Sequence, residues 1–145
     1  EEVPEKEYTI PLGKANIVKQ GKDLTLITYG AWLKTVKEVV EKLTDISIEI
    51  IDLRTLSPLD TETIINSVKK TGKCVIVSEA QRTCSLSSEI IARINEKALY
   101  NLEAPVERVS GYDIVVPLRL YEDYYLPSHQ KIINAIERVM KNARG

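Results

Sequence analysis

EIIDLRTLSPLDTETIINSVKKTGKCVIVSEA, residues Glu49 to Ala80, reads as strand, proline-marked loop, helix, turn and second strand. A β-branched run (Ile46, Ile48, Ile50, Ile51) stops at Asp52, and another, Cys74–Val77, stops at Ser78-Glu79. Between them, Ser57-Pro58-Leu59-Asp60 carries helix-start chemistry and Thr71-Gly72 carries the stop. This is one βαβ unit, and its right-handed crossover makes the two strands parallel. A parallel sheet needs cover on both faces, so the unit implies an α/β architecture.

Working outward, Lys14–Lys19 and Leu24–Tyr29 flank the turn Gly21-Lys22-Asp23 and are expected to pair as an antiparallel hairpin. Gly30 is expected to open a helix to about Leu43, with Trp32, Leu33, Val36, Val39, Val40 and Leu43 on one buried stripe. After Glu79 comes the polar loop AQRTCSLSS, whose Ser87 or Ser88 would cap a helix through about Tyr100. Leu86, Ile90, Ile91, Ile94 and Ala98 mark its inner face. Pro105–Val109 gives a short strand ending at Ser110-Gly111, and YDIVVPLRLYEDYYLP reads as irregular. Ser128 to about Asn142 is the last helix. The alternation predicts a three-layer α/β/α sandwich, its sheet mostly parallel with one antiparallel edge strand.

The chain of 145 residues is one domain of ordinary size, with residues 1–13 expected to be an interdomain linker and 14–145 the domain. A net charge of −1 with mixed signs gives no basic face for nucleic acid. No apolar run approaches the roughly 18 residues of a membrane span. The acidic opening EEVPEKEYTIPLG does not read as a signal peptide. Two cysteines without CxxC spacing argue against zinc or a disulfide scaffold and fit a reducing compartment.

Open parallel sheets place ligands beyond the carboxyl ends of their strands. Asp52 and Glu79 could pair there for acid–base work or Mg²⁺; alternatively Asp52 accepts loop N–H groups and pairs with Arg54, while Glu79 caps the next element. Cys84 or Ser85 with His129, the only histidine, could make a nucleophile and base, but no GxSxG supports this and His129 is expected to face solvent. Cys74 reads as a core residue. The glycines form neither GxGxxG nor a Walker pattern. Tyr121, Tyr124 and Tyr125, three tyrosines within five residues, suit a protein interface, or alternatively cover the last helix.

Taken together, IPLGKANIVKQGKDLTLITYG, IDLRTLSPLD, ETIINSVKKTGK, SEAQRTCSLSSEI, LEAPVERVSGYD and LPSHQKII, in this order and spacing, resemble the carboxyl-terminal domain of the transketolase family. The likeness is nearest to beta subunits of the thiamine-dependent first component of 2-oxoacid dehydrogenase complexes. It implies a five-stranded mixed sheet. It implies no catalytic, cofactor-binding or metal-binding residue in this chain: thiamine diphosphate and Mg²⁺ would be held by other domains of the intact enzyme. Such an enzyme decarboxylates a 2-oxo acid oxidatively and passes the acyl group to lipoyl.

The role implied for this domain is assembly with an alpha subunit and a second beta subunit, and docking of the acyltransferase's basic subunit-binding domain. Glu103 and the chain's carboxyl end match the docking region, with a plain solvated acid as the alternative for Glu103. Location would be cytoplasmic, or the mitochondrial matrix in a eukaryote. Gly111-Tyr112-Asp113 and YEDYYLP lean toward branched-chain members. Thr83–Ser87 stands where relatives carry a glycine-rich turn, which puts that loop's usual conformation in question. Two other readings are a transketolase or deoxyxylulose-phosphate synthase domain, and a free-standing regulatory or ligand-binding module using Asp52, Arg54 and Glu79.

Overall fold

A computed structural model describes residues 7–143. The first six residues of the expected linker, and Arg144-Gly145, lie outside the described residues. The sheet has five strands: β1 (Asn16–Lys19), β2 (Leu24–Thr28), β3 (Ile48–Asp52), β4 (Cys74–Val77) and β5 (Glu107–Val109). Their order is β1-β3-β2-β4-β5. All neighbours are parallel except β1, which runs antiparallel to β3 at one edge. The helices are α1 (Trp32–Lys42), α2 (Thr61–Thr71), α3 (Leu86–Ala98), a single turn α4 (Glu122–Tyr125) and α5 (His129–Asn142).

Side chains alternate across the sheet with the period of two that a strand imposes. Leu24, Leu26, Ile48, Ile50, Val75 and Val77 pack with Val36, Val39 and Val40 of α1 and Ile132, Ile136 and Val139 of α5. Ile27, Ile51, Cys74 and Ile76 face the other way, onto Ile64 and Val68 of α2 and Ile90 and Ile94 of α3. The three-layer sandwich expected from the sequence is therefore present. Burial pushes the Cys74 thiol far up, out of reach of reactivity.

The hairpin expected between the first two strands does not form. β2 is buried at all five positions, whereas β1 alternates half-buried and exposed. A strand apolar on both faces belongs at the centre, so β3 inserts between them. The turn is satisfied elsewhere: the N–H groups of Lys22 and Asp23 donate to the Ser47 carbonyl at 3.0 and 2.9 Å. The Asp23 carboxylate accepts the Ser47 N–H at 2.8 Å. Gly21 makes this approach possible, since a Cβ there would lie 2.2 Å from the Glu49 nitrogen.

Three helix boundaries also differ from expectation. Gly30 sits at φ +64° before α1 and does not open it. Ser85, not Ser87 or Ser88, occupies the cap position of α3, without a side-chain cap bond. Ser87 is buried and meets the Ser78 hydroxyl at 3.1 Å, tying the end of β4 to the first turn of the helix. α3 stops at Ala98, and Leu99–Asn101 continue as a 3₁₀ turn. In the loop 83–87, Cys84 takes a left-handed conformation at φ +55° without a glycine.

Two polar groups fix α2. Asp60 caps it, accepting the Thr63 N–H (3.1 Å) and hydroxyl (2.8 Å), and also takes the Ala15 N–H at 2.9 Å. Glu49, 1% exposed in mid-sheet, receives the Ser67 hydroxyl and the Lys70 ammonium from the same helix. The Thr25 hydroxyl extends the seam to Ser67 and Thr71, each at 2.7 Å.

Lys70→Met should destabilise the chain by about 2–3 kcal/mol in urea unfolding, because it strands a buried carboxylate. Adding Glu49→Gln should recover part of that loss, since Gln still pairs with Ser67 and needs no counter-ion. For Asp60, burial alone would raise the carboxyl pKa, but the bonds from Ala15 and Thr63 outweigh it and hold the group below its ordinary value. A depressed folded pKa stabilises above the unfolded value of about 3.9 and is lost as pH falls through the folded one. Asp60→Ala should therefore cost about 1–2 kcal/mol at pH 7. The gap to wild type, read from urea midpoints, should shrink as pH drops below about 4.

Candidate functional site

In an open sheet the expected ligand crevice lies where consecutive connections diverge to opposite faces. Here that is between the carboxyl ends of β2 and β4, because α1 follows β2 on one face and α3 follows β4 on the other. The crevice is spanned by the chain itself. The Trp32 indole N–H donates to Glu79 Oε2 at 3.1 Å. Glu79 thus anchors the start of α1, whereas the sequence reading had it capping the next element.

Asp52 and Glu79 do not come together, because β2 separates their strands. Asp52 accepts the Arg54 N–H at 3.3 Å, and the Arg54 guanidinium approaches within 3.9 Å. The pair expected as a possible metal or acid–base site is thereby taken up in separate local contacts. Among the described residues, no group of three His, Cys, Asp or Glu side chains could hold a metal ion. The rim residues do not fit a Mg²⁺–diphosphate group. His129 lies half-exposed at the start of α5 and meets Glu38 of α1 at 2.9 Å. Cys84 is exposed on its loop.

Two surfaces stand out instead. The first surrounds Glu103, whose side chain is 56% exposed and paired with Lys73. Gly72, at φ +67°, lets Glu103 lie flat on the α2 terminus, since a Cβ there would meet its Cγ, Cδ and Oε1 at 2.9 Å. Beside it runs an open cavity of about 510 Å³ walled by Ile91, Leu99, Leu102, Ala104, Pro105 and Val106. Leu99, one of its walls, and the next residue Tyr100 are exposed.

The second surface is the segment 112–124. Val115, Leu118 and Leu120 are each 87–90% exposed, and Tyr112, Ile114, Val116, Tyr121 and Tyr124 are also exposed. This run of apolar side chains exceeds the scattered singles normal on a surface. Tyr121 and Tyr124 stack loosely, ring centres 6.4 Å apart. Tyr125 does not join them, being 3% exposed and covering Gly111, where a Cβ would meet its ring at 2.5 Å. It packs edge-on against Tyr112 at 6.4 Å. So α4, unforeseen in the sequence, sorts the three tyrosines into two outside and one inside. The alternation of its neighbours gave no period that could have signalled it. Among the described residues, no helix is long and apolar enough to cross a membrane.

Comparison with known proteins agrees with this architecture. Residues 13–132 match the family model described as "Transketolase, C-terminal domain". The chain is 47% identical over 143 residues to the pyruvate dehydrogenase E1 component subunit beta of Acholeplasma laidlawii, covering 97% of this chain and 44% of that protein. It is 48% identical over 143 residues to the mitochondrial 2-oxoisovalerate dehydrogenase subunit beta of Dictyostelium discoideum, covering 97% and 38%. The chain spans less than half the length of these curated relatives. Among solved structures, a split-gene transketolase in an inactive beta4 tetramer superposes with a TM-score of 0.83 at 23% identity, covering 99% of this chain and 47% of that one. The chain belongs to the transketolase C-terminal domain family.

Proposed function

We propose that this chain is the carboxyl-terminal domain of a beta subunit in a thiamine-dependent 2-oxoacid dehydrogenase first component. The observation that carries the reading is identity of 43–48% to beta subunits along 97% of the chain. The whole enzyme would decarboxylate a 2-oxo acid, pyruvate or a branched-chain one, and hand the acyl group to lipoyl. The domain itself would hold subunits together and receive the acyltransferase. Thiamine diphosphate and Mg²⁺ would sit on other domains.

Physical chemistry supports the division of labour. The exposed apolar strap of 112–124 suits an interface that buries aromatic anchors against an alpha or second beta subunit. The Glu103 groove suits a small basic domain, its apolar floor supplying burial and the half-exposed Glu103 carboxylate, paired with Lys73, giving a second cation its register.

Three measurements test this. Calorimetric titration of the chain with thiamine diphosphate should show no saturable binding that depends on Mg²⁺; micromolar binding that requires Mg²⁺ would sink the proposal. In the assembled first component, Glu103→Lys should weaken capture of the acyltransferase's subunit-binding domain on the order of tenfold. Unchanged capture removes Glu103 from the docking surface. Tyr121→Ala and Tyr124→Ala should leave the chain's own unfolding within about 0.5 kcal/mol of wild type. Tyr125→Ala should cost about 3 kcal/mol or more through the cavity it leaves. In the assembled enzyme the ranking should invert, the two exposed tyrosines dominating subunit affinity as read by sedimentation.

A further inference from the structure

A separate cavity of about 270 Å³ lies at the carboxyl end of β5, lined by Arg82, Arg108, Ser110, Lys131, Asn134 and Arg138. Its single carboxylate, Asp113, is already occupied: it accepts the Thr83 N–H at 2.7 Å and the Thr83 hydroxyl at 2.8 Å. The cations are another matter. Arg108 donates to the Arg82 carbonyl (2.9 Å) and the Ser88 hydroxyl (2.8 Å). Lys131 donates to the carbonyls of Tyr124 (2.6 Å), Leu126 (3.0 Å) and Tyr125 (3.5 Å), and lies 4.9 Å from the Tyr112 ring centre. All of these acceptors are neutral. Among the described residues neither cation belongs to an ion pair, whereas Arg138 is forked onto the Glu107 carboxylate through Nε and Nη2, each at 3.4 Å.

Two cations are thus held in position by hydrogen bonds while their charge stays uncompensated, and two more border the same hollow. Fixed charges need no reordering when an anion arrives; Arg108 bonds its neighbours only through Nη1 and keeps its other N–H groups for the anion, while Lys131 contributes its charge. One arginine fork is enough for a carboxylate. Cations from three separate elements (the loop before α3, β5 and α5) instead surround a tetrahedral dianion. At about 30 Å³ per water, the hollow has room for on the order of nine waters, or for a phosphate with a small organic remainder.

We propose that this cavity is a binding site for the phosphate group of a small phosphomonoester. Tyr112 and Asp113 of its lining begin the 112–124 strap, so the site adjoins the proposed assembly surface, while it shares no residue with the Glu103 groove.

The test titrates the 145-residue chain with inorganic phosphate and with glycerol phosphate at fixed ionic strength, following backbone amide shifts by nuclear magnetic resonance, with acetate for comparison. Both phosphates should give saturable shifts at Ser110, Gly111 and Asp113, and acetate should bind far more weakly. Tighter binding of glycerol phosphate points to the ester as the natural source; equal affinity points to free phosphate. Arg82→Gln and Arg138→Gln should each weaken phosphate binding on the order of tenfold. Lys97→Gln, at the far end of α3, should leave it unchanged. Arg82 and Arg138 both lie at the surface, and an unchanged thermal unfolding curve certifies each variant. Shifts that stay linear, match those with acetate, or ignore both arginine variants would overturn the proposal.

Discussion

A carboxylate without water must have its charge answered, and Glu49 is the place where this fold meets that demand. Removing a carboxylate from water costs several kcal/mol unless donors and a counter-ion replace the solvent. Glu49 stands in the middle of β3 on the α2 face, and its donors come chiefly from Ser67 and Lys70. Those two positions are three apart, hence on one side of a helix. The demand fixes both the rotation of α2 and its height over the sheet. What α2 ends with then follows: Gly72 in a left-handed conformation, Glu103 folded against it, and Lys73 answering Glu103. A buried group in one layer thereby bears on where the Glu103 carboxylate appears on the outside.

The sequence made the layers legible because they are local. The isoleucines of 46–51, the apolar run 74–77 and the stripes of α1 and α5 each declare themselves within a dozen residues. Sheet order was not local. The partner of β1 is chosen by the both-faced burial of β2 and by the grip of Lys22 and Asp23 on Ser47, some two dozen residues away. Residue type alone also misled at Ser87, where a good cap former is spent on a buried bond to Ser78. Cys84 shows the reverse: it holds the αL conformation that glycine adopts most readily, which its residue type did not signal.

The functional surfaces were legible in proportion to how much they rest on composition. Glu103 and the tyrosine-rich strap stand out as residue types in unusual company. Which tyrosine faces inward depends on α4 and on the room that Gly111 leaves. The basic hollow drew no notice in the sequence, because Arg82, Arg108, Lys131 and Arg138 are scattered over 57 positions and converge only when β5 packs beside α5. Likewise, the Trp32–Glu79 bond that spans the sheet's crevice joins residues 47 apart.

The two borders of the sheet have a consequence for how such a domain can associate. β1 is broken by a register shift between Ile17 and Lys19, and β5 is three residues long. Exposed strand borders invite pairing with foreign chains, and short or bulged ones do not. Neither border here offers a continuous ladder of free N–H and C=O groups to a newcomer. Growth by strand addition is thereby discouraged, and helices and loops are left as the surfaces through which other proteins can be met.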